Sequence, residues 1–218
     1  LSGDDEVDVT GSTLLPGRID CHVLLTMSDR DTMVGLQRPF SYSFYQAIGN
    51  MAATLDCGIT TVRDAGGADL GIQQAVDDGL IDGPRLQIAI SIISQTGGHN
   101  DGWMPSGFSV GLHVAHPGRP SGLVDGPEEM RRKVRELVRA GAQVIKVCTS
   151  GGVLSPRDDP RHAHFRTDEL AVLLAEATAA GCGVMAHAQS TDGIKNAVRA
   201  GIRSIEHGIY LDSEAISM

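Results

Sequence analysis

Three histidines and one lysine stand at or near the ends of short apolar runs: His22 in "RIDCHVLL", Lys146 in "VIKVCTSGG", His187 in "VMAHAQS" and His207 in "SIEHGIY". Neutral imidazole is the commonest metal ligand, and zinc suits nitrogen and oxygen donors. A lone histidine near a strand end is ordinarily a structural residue. Two of them, His187 and His207, at equivalent positions of consecutive units favour a site. Lys146 is the unusual member, because an ammonium ion cannot ligate a metal. Burial disfavours the charged form of a lysine and lowers its pKa. A neutral amine adds carbon dioxide to give a carbamate, a carboxylate on a long arm whose two oxygens can bridge two metals. The plainer reading is a lysine whose stem packs while its head reaches solvent. The apolar neighbours of Lys146 favour the reactive one.

These residues need elements to position them, and the chain repeats one unit. "AATLDCGITTVRDAGG" (52–67), "LVRAGAQVIKVCTSGG" (137–152), "EATAAGCGVMAHAQS" (176–190) and "NAVRAGIRSIEHGIY" (196–210) each run from a helix end through a glycine into a β-branched or apolar strand. Gly58, Gly141, Gly181 and Gly201 suit the left-handed position just past a helix. One ionisable residue follows near each strand end: Asp64, Lys146, His187 and His207. The pattern predicts strands near 18–25, 59–64, 85–93, 143–148, 183–187 and 203–207. Helices are predicted near 42–56, 69–79, 127–140, 167–180, 191–200 and from 212 onward. Alternating strands and helices imply a parallel sheet covered by helices, an α/β fold. A doubly wound open sheet and a (β/α)8 TIM-type barrel both fit. No GxGxxG or P-loop follows the first strand, and polar residues end several different strands, so the barrel is preferred. About six βα units are legible, so the barrel (18–218) is expected to be incomplete. The chain begins with Leu1 and ends at Met218 within an expected helix. A fragment is therefore expected, or a barrel completed by a C-terminal segment, a second chain or a homo-oligomer. Residues 1–17 read as part of a small β-sandwich, with "EVDVTGSTLLPG" as a hairpin remnant.

Bulk properties narrow the classes. A net charge of -9 over 218 residues leaves no basic surplus for nucleic acid. The run "RRKVR" (131–135) reads as a solvated helix face. No stretch of 18 apolar residues and no signal-peptide pattern occurs, so neither a membrane partner nor export is expected. Cys21, Cys57, Cys148 and Cys182 form no CxxC pair and read as buried free thiols of a cytoplasmic protein.

Together "LLPGRIDCH", "TTVRDAGG", "SQTGGHND", "VIKVCTSGGVLSP", "VMAHAQS" and "SIEHGIYLD" resemble the amidohydrolase superfamily. The branch is similar to Xaa-Pro dipeptidases and arginine/lysine carboxypeptidase-like hydrolases. The resemblance implies a (β/α)8 barrel with a small β-sandwich, one or two divalent ions, usually Zn2+, and amide hydrolysis by a metal-bound hydroxide. It implies HxH on the first strand, a carboxylated lysine on the fourth, histidines on the fifth and sixth, and an aspartate on the eighth. His22, Lys146, His187 and His207 match those ligands, with carbon dioxide held as a carbamate on Lys146. Leu24 stands where the second histidine of the HxH pair belongs, and the aspartate lies beyond Met218. One metal position would thus keep only His22 and the carbamate, the other Lys146, His187 and His207. By the same resemblance His99 of "TGGH" lies near the substrate and Tyr210 contacts it. Either could donate a hydrogen bond to the oxyanion or to a substrate carboxylate. The substrate is expected to be a small molecule or dipeptide, and hydrolysis by this chain to be impaired.

Two rival readings stand beside this one. A non-catalytic fragment or pseudoenzyme completed by a partner is favoured by Leu24 and the early end. A phosphate-binding barrel would need a glycine-rich loop after the seventh or eighth strand. Other residues carry smaller expectations. "RHAHF", with His162 and His164, reads as a solvated loop. Asp64 and Arg63 read as residues that orient a ligand from behind it, or as a structural ion pair. The long segment 95–126, with His113, His116, Trp103 and Phe108, reads as a binding loop over the site.

Overall fold

The computed structural model describes residues 7–28, 32–111, 113–155 and 157–218. It is an α/β fold with two parallel sheets. One sheet orders β1 (Arg18–Val23), β2 (Ile59–Asp64) and β3 (Arg85–Ile88); the other orders β4 (Ile92–Ile93), β5 (Val144–Cys148), β6 (Gly183–Ala188) and β7 (Ser204–His207). Helices α1 (Thr32–Leu36), α2 (Tyr42–Asp56), α3 (Leu70–Asp77), α4 (Pro127–Arg139), α5 (Thr167–Ala179), α6 (Thr191–Ala200) and α7 (Ser213–Ser217) lie between and after the strands.

Strand alternation divides the interior into two cores. On β5, Ile145 and Val147 enter the large core, which also holds Met130, Val134 and Leu137 of α4 and Leu170 and Leu173 of α5. Val144 enters a second, small cluster with Ala65, Ala89 and Met185, and Leu24 packs against it. Lys146 follows Val144 by two residues, and His187 follows Met185 by two, so both belong to the face of the small cluster. One face of the strands is thus packed by helices, while the other carries a thin apolar floor and then ionisable side chains.

Local signals fix the helices. Pro127 opens α4, Glu128 and Glu129 lie in its first turn and Arg139 in its last, all favourable to the helix dipole. Glu169 closes a capping box on α5 by accepting from Arg166 N at 2.7 Å, and it also accepts from Gly126 N at 2.8 Å. Ser190 caps α6 through Gly193 N at 3.0 Å. Gly58, Gly141, Gly181 and Gly201 adopt φ of 75°, 101°, 72° and 88°, the left-handed exits expected of them.

Several expectations change. The strand read at 85–93 divides into β3 and β4 of different sheets. Ile90 takes a left-handed φ of 68°, which ends one ladder and re-aims the chain. Helix α1 was not read, being one short turn. Only Cys148 of the four free thiols is buried; Cys21 and Cys57 are exposed. The basic run on α4 is not simply solvated. Lys133 is buried and bonds Glu136 at 2.6 Å, and Arg131 and Arg135 both reach Glu176 of α5. Among residues 7–17 a turn at Thr10–Gly11 is closed by Ser12 N to Val9 O at 2.9 Å, without strand pairing. No helix among the described residues is long and apolar enough to cross a membrane.

Candidate metal centre

The strand ends are locked together before they carry any chemistry. Thr149 N donates to His187 O at 2.9 Å, and Gln189 N donates to Ser150 Oγ at 2.7 Å. These bonds tie the C-terminal ends of β5 and β6. At β7 the chain leaves through His207 at φ 75° and Gly208 at φ 56°. A histidine in the left-handed region is uncommon, and such backbone is held where the surroundings dictate it.

On this frame four imidazoles form a row. His22 and His207 have ring centroids 5.1 Å apart, His207 and His187 4.8 Å, and His187 and His99 4.2 Å, the last pair stacked at 18°. Lys146 stands beside the row, 2% exposed, and its Nζ has no hydrogen-bond partner. Burial lowers its pKa to about 8. Burial likewise holds His187 down to about 3, with the neighbouring His99 and Lys146 charges adding to it. Burial and then the Lys146 charge hold His207 down to about 4. Both imidazoles are therefore neutral at pH 7, the state a ligand needs.

Two members of the row are anchored through one ring nitrogen. His187 Nε2 bonds Gly151 O at 2.8 Å, leaving Nδ1 free. His22 Nδ1 bonds Glu206 Oε2 at 2.6 Å, leaving Nε2 free. A ligating histidine usually donates its other N–H to a carboxylate or a carbonyl in this manner. Glu206 also accepts from Arg63 at 2.9 Å and from Ser204 Oγ at 2.8 Å, so it joins β7 to both β1 and β2. Burial alone would raise its pKa. The hydrogen bonds from His22 and Ser204 and the Lys146 charge overcome this and hold it near 2.

The donor types suit a divalent ion: His187 and His22 each keep one ring nitrogen clear of hydrogen bonds, and Lys146 Nζ is buried and unpartnered. Among the described residues, no three His, Cys, Asp or Glu side chains are gathered closely enough to hold an ion by themselves. Leu24 offers no donor and packs against the small apolar cluster.

Other candidates fall elsewhere. Tyr210 lies three residues past His207, 41% exposed and outside the row, with its backbone held by Gln189 and Thr191. Asp64 makes no ion pair with Arg63. It is fully buried and accepts from the backbone N–H groups of Leu25, Gly66 and Ala68 at 2.8, 3.0 and 3.2 Å. His164 is buried, its Nδ1 unpartnered, so the solvated-loop reading of "RHAHF" fails at His164, while His162 is exposed as that reading expects. It lines an open cavity of about 650 Å³ with Gln95, Asp158 and His162. In the 95–126 segment, His116 packs edge-on to Phe40 and Phe44, and Arg119 is pinned to Gly67 O and Val114 O. Glu206, Ser155 and Asp158 are the residues the sequence reading missed. Glu206 could have been found, since it alternates with Ser204 on one face of β7.

The amidohydrolase family profile matches residues 13–216. Ochratoxinase from Aspergillus niger is 39% identical over 213 residues, covering 92% of this chain and 44% of its own. A prolidase solved with N-methylphosphonate-L-proline superposes with TM-score 0.82 at 37% identity, covering 97% of this chain and 54% of that one. A Xaa-Pro dipeptidase with methionine in its active site gives 0.79 at 31%, covering 93% and 50%. The chain spans about half the length of these relatives. The profile spans nearly the whole chain, so the chain belongs to the amidohydrolase family.

Proposed function

We propose that this chain carries the greater part of the metal site of an amidohydrolase that cleaves an amide or peptide bond of a small substrate. The observation that carries the reading is the buried, unpartnered Lys146 Nζ beside neutral His187 and His207. Lys146 as a carbamate, His187 through Nδ1 and His207 would hold one divalent ion, zinc by the chemistry of the donors. His22 through Nε2 and the same carbamate would serve a second position, weakened because Leu24 supplies nothing. A bound divalent ion supplies a Lewis acid for the amide carbonyl and acidifies water. The chain's own groups do the rest. Glu206 and Gly151 O fix the rings of His22 and His187. His99 sits against His187, beside the expected place of the substrate, and Tyr210 stands in the segment after β7. The relatives named as prolidase and Xaa-Pro dipeptidase support a dipeptide or similar amide as substrate, and the two parallel sheets with their helices support a (β/α)8 barrel as the frame.

The test is hydrolysis of a panel of Xaa-Pro dipeptides and N-acyl amino acids by the full chain. Turnover is expected to be slow, to stop with chelator, to return with zinc and bicarbonate, and to vanish in Lys146→Met. Turnover indifferent to chelator and to Lys146 would overturn the reading. A second reading, a non-catalytic chain completed by a partner, draws on Leu24 lying against apolar neighbours rather than toward a ligand set. It predicts no turnover even for Leu24→His.

A further inference from the structure

The loop after β5 contains a hydrogen-bond chain that ends on His99. Asp158, with its side chain 1% exposed, accepts from Gly152 N through Oδ2 at 2.7 Å. Its Oδ1 accepts from Ser155 Oγ. Ser155 Oγ meets His99 Nδ1 at 2.7 Å, and Asp158 Oδ2 lies 3.3 Å from the same nitrogen. His99 in turn stacks on His187. Gly152 is part of the device. A Cβ built on it would lie 2.0 Å from His99 Cε1, so only glycine lets the ring occupy this place.

Proton counting settles the direction of the chain. A carboxylate only accepts, and a serine hydroxyl has one proton. That proton goes to Asp158, so Ser155 Oγ can only accept from His99. Nδ1 of His99 must then carry a hydrogen, and in the neutral ring Nε2 keeps its lone pair. We propose that Asp158, acting through Ser155, is a positioning residue that locks His99 in the Nδ1–H tautomer and presents Nε2 to the site as a hydrogen-bond acceptor. This deepens the reading of the site given above and rests on it only in placing His99 beside the substrate. An acceptor at Nε2 selects a substrate N–H or a water as its partner. Neutral His99 is thereby a poor donor to an oxyanion or a carboxylate, which leaves that task to another group.

The same counting yields a reversal. In Asp158→Asn, Gly152 N–H still requires an acceptor, so the amide oxygen takes the Oδ2 place and the amide NH2 faces Ser155. The hydroxyl then accepts from the amide and turns its own proton to His99 Nδ1. Nε2–H becomes the favoured tautomer of His99, because Ser155 Oγ, its nearer partner at 2.7 Å, now donates to Nδ1, while the amide oxygen is a weaker acceptor at 3.3 Å. Ser155→Ala instead leaves Nδ1–H facing Asp158 Oδ2 directly, and the original tautomer stays. The experiment is long-range ¹H–¹⁵N correlation on the full chain labelled at histidine, at a pH where the ring is neutral, with His99 assigned through His99→Gln. The expected result is Nδ1–H favoured by about tenfold or more in the parent and in Ser155→Ala, and reversal in Asp158→Asn. Nε2–H in the parent, a mixture in Ser155→Ala, or an unchanged tautomer in Asp158→Asn would each overturn the proposal. A residue that only braced the loop would keep its Gly152 bond in Asp158→Asn and move no proton. If Asp158→Asn does not fold, the parent and Ser155→Ala still decide the matter. No turnover or metal is read, so failure here leaves the metal centre standing, and failure of the metal centre leaves the tautomer intact.

Discussion

The two sheets meet at the site but treat their ligand strands differently. On one side β5 and β6 are buried almost throughout, in even register from Val144↔Gly183 to Cys148↔His187. On the other, β1 is exposed or half-buried at every residue, and its pairing with β2 shifts register twice. The well-packed side keeps Lys146 and His187 and is joined by His207 of β7. The irregular side keeps His22 and has Leu24 packed against Ala65, Ala89, Val144 and Met185. An apolar side chain there trades a donor for floor packing. The comparison teaches that the proposed ligands Lys146 and His187 stand on strands paired on both sides, whereas the position without a donor follows the exposed strand.

The largest expected effect is on the rigid side. Lys146→Met should lower zinc affinity by more than the ~10–100-fold that follows loss of an outer hydrogen-bond partner. Competition with a chelator of known affinity measures this; unchanged affinity would detach Lys146 from the site. Next comes the link between the sheets. Glu206→Ala leaves the half-buried Arg63 and His22 without their shared carboxylate, at a cost of about 1–3 kcal/mol, the penalty of hydrogen-bonding groups left without a partner. Urea denaturation checks it, and a loss under about 1 kcal/mol would mean that the sheets do not depend on Glu206.

A smaller effect belongs to Asp64. Burial raises its pKa to about 7 from an ordinary 3.8, against its three backbone N–H donors. Between those values the folded chain holds a proton that the unfolded chain has released. This group's contribution to stability therefore falls as pH rises from 3.8 to about 7, and is level on either side. Stability curves at several pH values, with Asp64→Ala as reference, should show that slope in the parent alone. The smallest effect is at the α4–α5 clasp. Arg135→Ala should leave the unfolding midpoint unmoved, because Arg135 lies in solvent and shares Glu176 with Arg131.

How far these features could be read in the sequence depends on how local their causes are. The helix exits at Gly58, Gly141, Gly181 and Gly201 follow from single residues whose backbone freedom has one common use, and they are where the sequence placed them. Strand β5 was legible because five consecutive buried residues leave an unbroken apolar run around Lys146. The break at Ile90 was not legible, since a β-branched residue in the left-handed region contradicts its own propensity and only the tertiary frame imposes it. The same holds for the site. His22, Lys146, His187 and His207 announced themselves by residue type at strand ends. Ser155 and Asp158 sit in an irregular loop without periodicity, and their reach to His99 spans 56 and 59 positions. Glu206 lay in plain view beside His207, yet its partners Arg63 and His22 belong to the opposite sheet.

The most direct test of the contrast between the two sides is zinc content per chain, measured by elemental analysis on full chain purified without chelator, in the parent and in Leu24→His. The account predicts about one zinc in the parent, held through Lys146, His187 and His207, and close to two in the variant once the exposed strand regains its donor. Equal content in the two proteins, whether none or two, would contradict it.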